Sequence, residues 1–446
     1  MTAIQTTAFT VNGRTYRTPP RPVVVICLDG SADEYLDAAL ARGRMPNFQR
    51  MSVAGHRGLA RGALPSFTNV NNASIVTGVP PSVHGISGNF FYDSAAGEEV
   101  MMNSGKFLRC ETIFPAAAHA GRKVAVVTAK EKLRDIFAAG LFGVPPSGGE
   151  SFPGSQRPEN SMPMPAKAGT PSGIAFSSEK AGQAGKGTHG IEHVDKFVGQ
   201  PTPPIYSAEA SLYVLRAGAA LIERGLADLL YLSTTDFVQH KFPPEAPEAL
   251  DFYAGIDEQL GRLLKLGAVV GLTADHGMNA KQKPDGSPNV IYLERELTER
   301  YGPGFRVILP ITDPYVVHHG ALGSFAVVHL PPGVTARRKF NVLHFLNHLP
   351  GVTEVYGRNA AEKLELPADR LGDFVVMSGR DVVLGRTPES HDLKAVERGL
   401  RSHGGRYEEM VPFAFSEALT PAYAARAAAD PRNFDVFDFV FNGTRA

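Results

Sequence analysis

The feature that most constrains this chain is a recurring alternation of short Val/Leu/Ile runs with helical segments, each run stopped by a polar residue. "PVVVICLDG" (22–30) carries Asp29 at its end. "GRKVAVVTAK" (121–130) follows the helical "CETIFPAAAHA". "LADLLYLSTTD" (226–236) follows a helical stretch from about Ser207 to Arg224, and "GAVVGLTAD" (267–275) follows "EALDFYAGIDEQLGRLLKLG". Continuous apolar strands are buried on both faces, which calls for a parallel sheet covered by helices on either side. The predicted fold class is α/β, with a mostly parallel central sheet. Strands of such a sheet end along one edge, where ligands bind. The polar residues at the strand ends are therefore the candidates for function.

With 446 residues the chain exceeds one hydrophobic core, so a large domain with a second unit is expected. The stretch 287–386 holds "FAVVHL", "DFVVMSG" and "DVVLGR", alternating short strands that suggest a smaller α+β cap domain. The core is then 20–286 and 387–446. Within it, 142–204 is dense in Gly, Pro and Ser and reads as a long loop, a kind that is usually functional or mobile. Lys+Arg and Asp+Glu balance at 45 each, so nothing points to nucleic acid. Cys27, inside "VVVICL", reads as a packed thiol, and with Cys110 it forms no framework, which fits a reducing compartment. No run approaches the roughly 20 apolar residues of a membrane span, and the N-terminus shows no signal-peptide core. A cytoplasmic protein without membrane contact is expected, and a homodimer stays open.

The strand ends deliver Asp29, then Asp236 with His240 one helical turn on, then the adjacent pair Asp275 and His276. Neighbours on a strand point to opposite faces, so that pair can act together only where the strand ends and turns. Near the C-terminus "RSHGG" adds His403 between a serine and glycines that allow close backbone approach. Three carboxylates and three imidazoles thus arrive from four places in the sequence. Mixed Asp/His sets suit zinc or a similar divalent ion, and six ligands are too many for one zinc with an open position. Two ions roughly 3.5–4 Å apart are the natural reading, the usual device for phosphoryl transfer. Taken singly, Asp29 could cap a helix, Asp236/His240 could be a solvated helix face, and His403 could be a satisfied loop histidine. For a nucleophile, "ALPSFTNVNNASIVTG" (63–78) puts Thr68 at the start of a helical pattern through Ile75, where the helix dipole favours an anion. Its plain alternative is an N-cap role. Ser66 is the competing hydroxyl.

The order Asp29, Thr68, Asp236-x-x-x-His240, Asp275-His276, His403 resembles the alkaline phosphatase superfamily, as do "TADHGM" and "SHGG" followed by an acidic stretch and "VPF". The match runs over 22–90, 231–278 and 400–413. It looks closest to the nucleotide pyrophosphatase/phosphodiesterases and the phosphonoacetate hydrolases. The resemblance implies an alkaline-phosphatase-like core with a smaller cap. It also implies two Zn2+ ions, with Mn2+ or Fe2+ as substitutes: Asp29, Thr68, Asp275 and His276 on one, Asp236, His240 and His403 on the other. His391 in "PESHDLKAV" competes with His403, whose glycines fit the motif better. Asn89 stands where relatives use an amide on a phosphoryl oxygen. Sulfatases are set aside because "SFTNVNN" lacks their nucleophile sequence, and enzymes with a Ser nucleophile because this one is Thr. Lys130 and Lys132 in "VVTAKEKLRDIF" resemble the two lysines that receive the substrate carboxylate in phosphonoacetate hydrolases. The implied reaction is cleavage of the C–P bond of phosphonoacetate to acetate and phosphate through a phospho-threonine. The alternatives are a phosphodiesterase or phosphomonoesterase of the same superfamily, or a catalytically dead metal-binding relative.

Overall fold

The computed structural model describes residues 4–142, 173–311, 321–396 and 399–445. Among these, a seven-stranded sheet runs in the order His56–Arg61, Met410–Phe415, Val269–Thr273, Val23–Cys27, Leu229–Ser233, Val124–Thr128, Gly173–Ser177. The last five are parallel to one another, and Met410–Phe415 joins them antiparallel. The register is level: Thr273 pairs with Cys27, Cys27 with Ser233, Ser233 with Thr128, and Thr128 with Ser177. Each chain therefore leaves the sheet at the same height, so the residues two or three positions later share one edge.

Side chains alternate strictly between two helical layers. Val24 and Ile26 pack with Leu230, Leu232, Val270 and Leu272 against the helices Asp33–Ala41, Ala208–Glu223 and Pro247–Lys265. Val23, Val25 and Cys27 face the helices Thr68–Thr77, Ile113–His119 and Glu131–Phe137 and the C-terminal segment around Val436–Phe441. The expected α/β class and mostly parallel sheet are found. The helix expected from about Ser207 to Arg224 spans Ala208–Glu223, and the Ser207 hydroxyl accepts the Ala210 N–H as its cap.

Two segments differ from the sequence reading. The stretch assigned as a loop over 142–204 contains regular elements from 173 onward: Gly173–Ser177 is the parallel edge strand, followed by short helices at Lys186–His189 and Val194–Val198. Its apolar core is only Ile174–Phe176, too short a run to show a period beside so many Gly and Pro residues. Residues 143–172 lie outside the described residues. Ahead of the core start expected at residue 20, Phe9, Val11 and Tyr16 already pack with the sheet's buried residues. Thr7–Val11 and Arg14–Thr18 form an antiparallel hairpin whose Asn12-Gly13 turn has both φ positive, as a two-residue turn of this kind requires.

Within 287–386 lies an antiparallel four-stranded sheet in the order Arg306–Ile308, Phe325–His329, Phe374–Ser378, Val352–Gly357. Its buried face is continuous with Phe67 and Val70, the residues on either side of Thr68–Asn69. The small sheet thus packs directly beside the candidate nucleophile.

Candidate metal centre

Thr68 is the first residue of its helix, and Phe67 holds the cap position without a side-chain cap. The Thr68 hydroxyl is thus not an N-cap. It donates to Asp29 Oδ1 at 3.4 Å and lies 3.2 Å from His276 Nε2. Ser66, the competing hydroxyl, is buried and donates to the Gly405 carbonyl at 2.9 Å. Asp29 does not cap the following helix, whose N-cap is Ala32. It is fully buried with Oδ1 3.2 Å from His276 Nε2, and its Oδ2 has no hydrogen-bond partner.

Asp236 and His240 are both buried, which rules out a solvated helix face. Asp236 Oδ2 lies 2.9 Å from His240 Nε2, 3.7 Å from His403 Nε2 and 4.0 Å from His276 Nε2. The chain end bearing Asp236 reaches Asp29 because residue 30 is glycine: its φ is +69°, and a Cβ there would stand 2.7 Å from Asp236 Cβ. Gly404 has the same kind of role beside His403, since a Cβ would sit 2.4 Å from the Phe67 ring. Gly277, directly after Asp275-His276, has no positive φ that would require a glycine. Its conformation is ordinary, and its contribution is an N–H donated to the Glu408 carbonyl at 2.8 Å.

The three histidines are oriented alike. Nδ1 of His240 meets the Arg401 carbonyl at 2.8 Å, that of His276 the Gly277 carbonyl at 2.9 Å, and that of His403 the Ser66 carbonyl at 2.7 Å. With each Nδ1 donating to a main-chain carbonyl, each Nε2 is directed at the carboxylates, the orientation metal-ligating histidines show. The rings of His276 and His403 stack at 3.5 Å. Donor atoms of Asp236, His240 and His403 lie within 4.8 Å of one another, and so do those of Asp29, Asp236 and His276. Asp236 belongs to both groups. Asp275 belongs to neither: its Oδ1 accepts the N–H groups of Gly30 and His276, and its Oδ2 accepts Asn72 Nδ2 at 2.9 Å. Its Oδ2 is 3.9 Å from His276 Nε2.

The electrostatics follow from the crowding. Burial, with Asp236 and Asp275 alongside, pushes Asp29 well above the usual carboxylate range. Burial acts the same way on Asp236, but His240 and Lys130 outweigh it and hold that carboxyl well below its usual range. Burial disfavours a charged imidazole at His276, yet Asp275, Asp29 and Asp236 push it up to about 10. His403, buried and next to His276 and His240, is held well below its ordinary value. Concentrated negative charge, an unpartnered buried carboxylate oxygen and convergent imidazole nitrogens together suit a divalent cation.

Lys130 follows the Val124–Thr128 strand, and its ammonium lies 3.7 Å from Asp236 Oδ1. Lys132 sits half-buried on the first turn of the next helix. Asn89 is fixed through its backbone to Pro310 and Met102, and its Oδ1 is a buried acceptor without a partner. His391 is elsewhere, its Nε2 accepting the Arg386 N–H near Tyr292. Sequence reasoning passed over Asn72, which receives the hydroxyls of Tyr231 and Ser233 at Oδ1 while steadying Asp275 and the Thr68 carbonyl. A signal was present: Asn69, Asn71 and Asn72 crowd one buried helix, where asparagine is a poor helix former and needs a polar reason to be.

A helix-covered parallel sheet with Asp/His groups and a hydroxyl at its strand ends is an alkaline-phosphatase-like architecture. The family model described as type I phosphodiesterase / nucleotide pyrophosphatase matches residues 23–406, and the chain belongs to that family, within the alkaline phosphatase superfamily. Phosphonoacetate hydrolase from Sinorhizobium meliloti 1021 is 44% identical, covering 98% of this chain and 99% of that one. Its structures with phosphonoformate and with phosphonoacetate superpose with TM-scores of 0.86 and 0.85. Murine ectonucleotide pyrophosphatase / phosphodiesterase 5 shares 16% identity over 96% of each chain, with a TM-score of 0.59, a likeness of fold alone. No helix among the described residues is long and apolar enough to cross a membrane.

Proposed function

We propose that this chain is a metal-dependent phosphonoacetate hydrolase. The observation that carries the reading is the 44% identity, over nearly the whole length, to an enzyme of that name, with Lys130 facing the site. Asp29, Thr68, Asp275 and His276 would hold one zinc ion and Asp236, His240 and His403 the other, with manganese or iron(II) as substitutes. Asp275 would use Oδ2, shared with Asn72. The unpartnered Oδ2 of Asp29 supports an ion at the first position. Such ions supply positive charge to the phosphoryl oxygens and to the reacting hydroxyl.

Thr68 Oγ1 attacks phosphorus after losing its proton toward Asp29, the acceptor it already faces. The O–P bond forms as the P–C bond breaks, and the electron pair passes to the carbon and into the adjacent carboxylate. That carbon is a poor leaving group unless its charge is delocalised. Ammonium groups of Lys130 and Lys132 on the carboxylate favour this enolate-like arrangement. The carbon takes up a proton from solvent to give acetate, and Asp29 returns the Thr68 proton to solvent. Water then cleaves the phospho-threonine, releasing phosphate and restoring Thr68. The Asn89 amide would donate to a phosphoryl oxygen. A cytoplasmic setting belongs to the proposal, supported by two free cysteines, Cys27 and Cys110. Phosphate release from phosphonoacetate, phosphonoacetaldehyde and a nitrophenyl phosphodiester tests it. Turnover of the diester with phosphonoacetate inert would overturn it in favour of the diesterase reading.

A further inference from the structure

Behind the metal centre lies a fully buried ion pair that the reaction does not use. Lys281 and Glu408 are both 0% exposed, with Nζ and Oε1 2.8 Å apart. Glu408 Oε1 also accepts Asn279 Nδ2 at 2.7 Å, and Oε2 accepts the Gly405 N–H at 3.0 Å. Its main-chain carbonyl accepts the N–H of Gly277, the residue after His276. Lys281 spends a second donor on the Arg380 carbonyl at 2.7 Å, and Arg380 Nε donates to Asn279 Oδ1 at 2.9 Å. The short strands Asn279–Ala280 and Arg401–Ser402 pair beside this network.

Two of the bonds of Glu408 end one or two residues from a candidate ligand, and the other two end on Asn279 and Lys281 of the segment that follows His276. Gly277 follows His276, and Gly405 lies two residues past His403. The Gly405 carbonyl in turn receives the Ser66 hydroxyl, while the Ser66 carbonyl orients His403. We propose that Glu408, neutralised by Lys281, is a positioning residue that locks the His276 turn to the His403 loop and so fixes the spacing of the two ions. An isolated buried charge is expensive, and an apolar pair of similar shape is often as stable. A carboxylate with three protein donors, the Gly405 N–H on the His403 loop and the Asn279 and Lys281 side chains on the segment after His276, has a geometric reason to be there, and the Gly277 N–H on its main-chain carbonyl adds a second tie. This inference rests on the metal reading above.

The test uses the full chain loaded with zinc, with Glu408→Gln, the pair Lys281→Met/Glu408→Gln, and Asn279→Ala as a milder variant. Zinc release to a chromophoric chelator should be about 10- to 100-fold faster in all three, the range for losing a group that orients a ligand. The kcat should fall by a similar factor with KM within a few-fold. The double variant removes the unpaired ammonium, so it should regain stability over Glu408→Gln while still releasing zinc quickly. A merely structural role would lower Tm equally with and without zinc and leave release unchanged. Release within twofold of wild type in the double variant and in Asn279→Ala would overturn the proposal. Wild-type protein that takes up no zinc would instead overturn the metal reading itself.

Discussion

Lys130→Ala separates substrate recognition from metal chemistry. The Lys130 side chain is only 15% exposed, and its ammonium is 3.7 Å from Asp236 Oδ1. Its removal acts in two ways. It withdraws a charge that helps hold Asp236 ionised, an interaction of about 4 kcal/mol at an effective dielectric near 20 before desolvation is subtracted. That loss weakens turnover of every substrate. If Lys130 also receives the substrate carboxylate, phosphonoacetate alone loses a charge-assisted hydrogen bond of about 1.5–3 kcal/mol. The ratio of kcat/KM for phosphonoacetate over a nitrophenyl phosphodiester should then fall about 10- to 150-fold. The assay is steady-state kinetics on both substrates with wild-type and variant enzyme at equal zinc content. An unchanged ratio, with both substrates slowed alike, would mean that Lys130 acts only through Asp236.

Thr68→Ala should lower kcat by about a thousandfold or more, whereas Thr68→Ser keeps measurable turnover. Acid-quenched wild-type enzyme should carry phosphate on Thr68 by mass spectrometry, and full activity in Thr68→Ala would sink the assignment. Asn72→Ala leaves Asp275 Oδ2 and the hydroxyls of Tyr231 and Ser233 without their partner. It should destabilise the protein by about 2–4 kcal/mol, and more with zinc than with a chelator present, as urea unfolding would reveal. Equal losses in both conditions would show that Asn72 does not orient a ligand. His84 is fully buried, accepts the Ile86 N–H at Nδ1 and meets Ser74 Oγ at Nε2, and burial lowers its pKa to about 3. The unfolded chain then binds the proton first, so the His84 contribution to stability is complete above pH 6.5 and is lost as pH falls toward 3. Between pH 7 and pH 5 that loss is about 2 kcal/mol. His84→Gln should flatten this part of the pH–stability curve, and an unaltered slope would refute the assignment.

The parts of the site that were legible in the sequence are those set by strand ends. Asp29, Asp236 and Asp275 follow apolar runs long enough to read as buried strands, and a level edge brings such ends together. Illegible were contacts made across distant segments. The carbonyls that orient the histidines belong to Ser66, Gly277 and Arg401, and a backbone acceptor has no residue type to betray it. The same holds for Lys281 and Glu408, ordinary charged letters whose burial depends on the packing of two loops. Gly173–Ser177 was missed because the outer strand of a parallel block needs only a few apolar residues to dock. Asp236 in both ligand groups was not foreseen either, since spacing along the chain says nothing about which ion a carboxylate faces.

Strand order supplies what spacing cannot. Adjacent strands stand about 4.8 Å apart, and the Asp275, Asp29 and Asp236 ends come from three consecutive strands in level register. Carboxylates so spaced converge on a region a few ångströms across, the scale of two neighbouring ions. Asp236, nearest the remaining parallel strands, is the one within reach of both the imidazole group and the next strand's Lys130. One strand further out, the Ser177 end supplies Glu179, whose carboxylate accepts the Glu131 N–H at 2.8 Å, while Ser177 Oγ donates to the Glu131 side chain. These contacts fix the helix start that carries Lys130 and Lys132. The edge is thus graded: the clustered Asp and His side chains at the centre, Lys130 and Lys132 beside them, and the support of their helix start outermost. Under the proposed function, a phosphonate lying along that edge would place its phosphorus over the clustered Asp and His side chains and its carboxylate over the lysines, and the direction of the substrate would follow from the order of the strands.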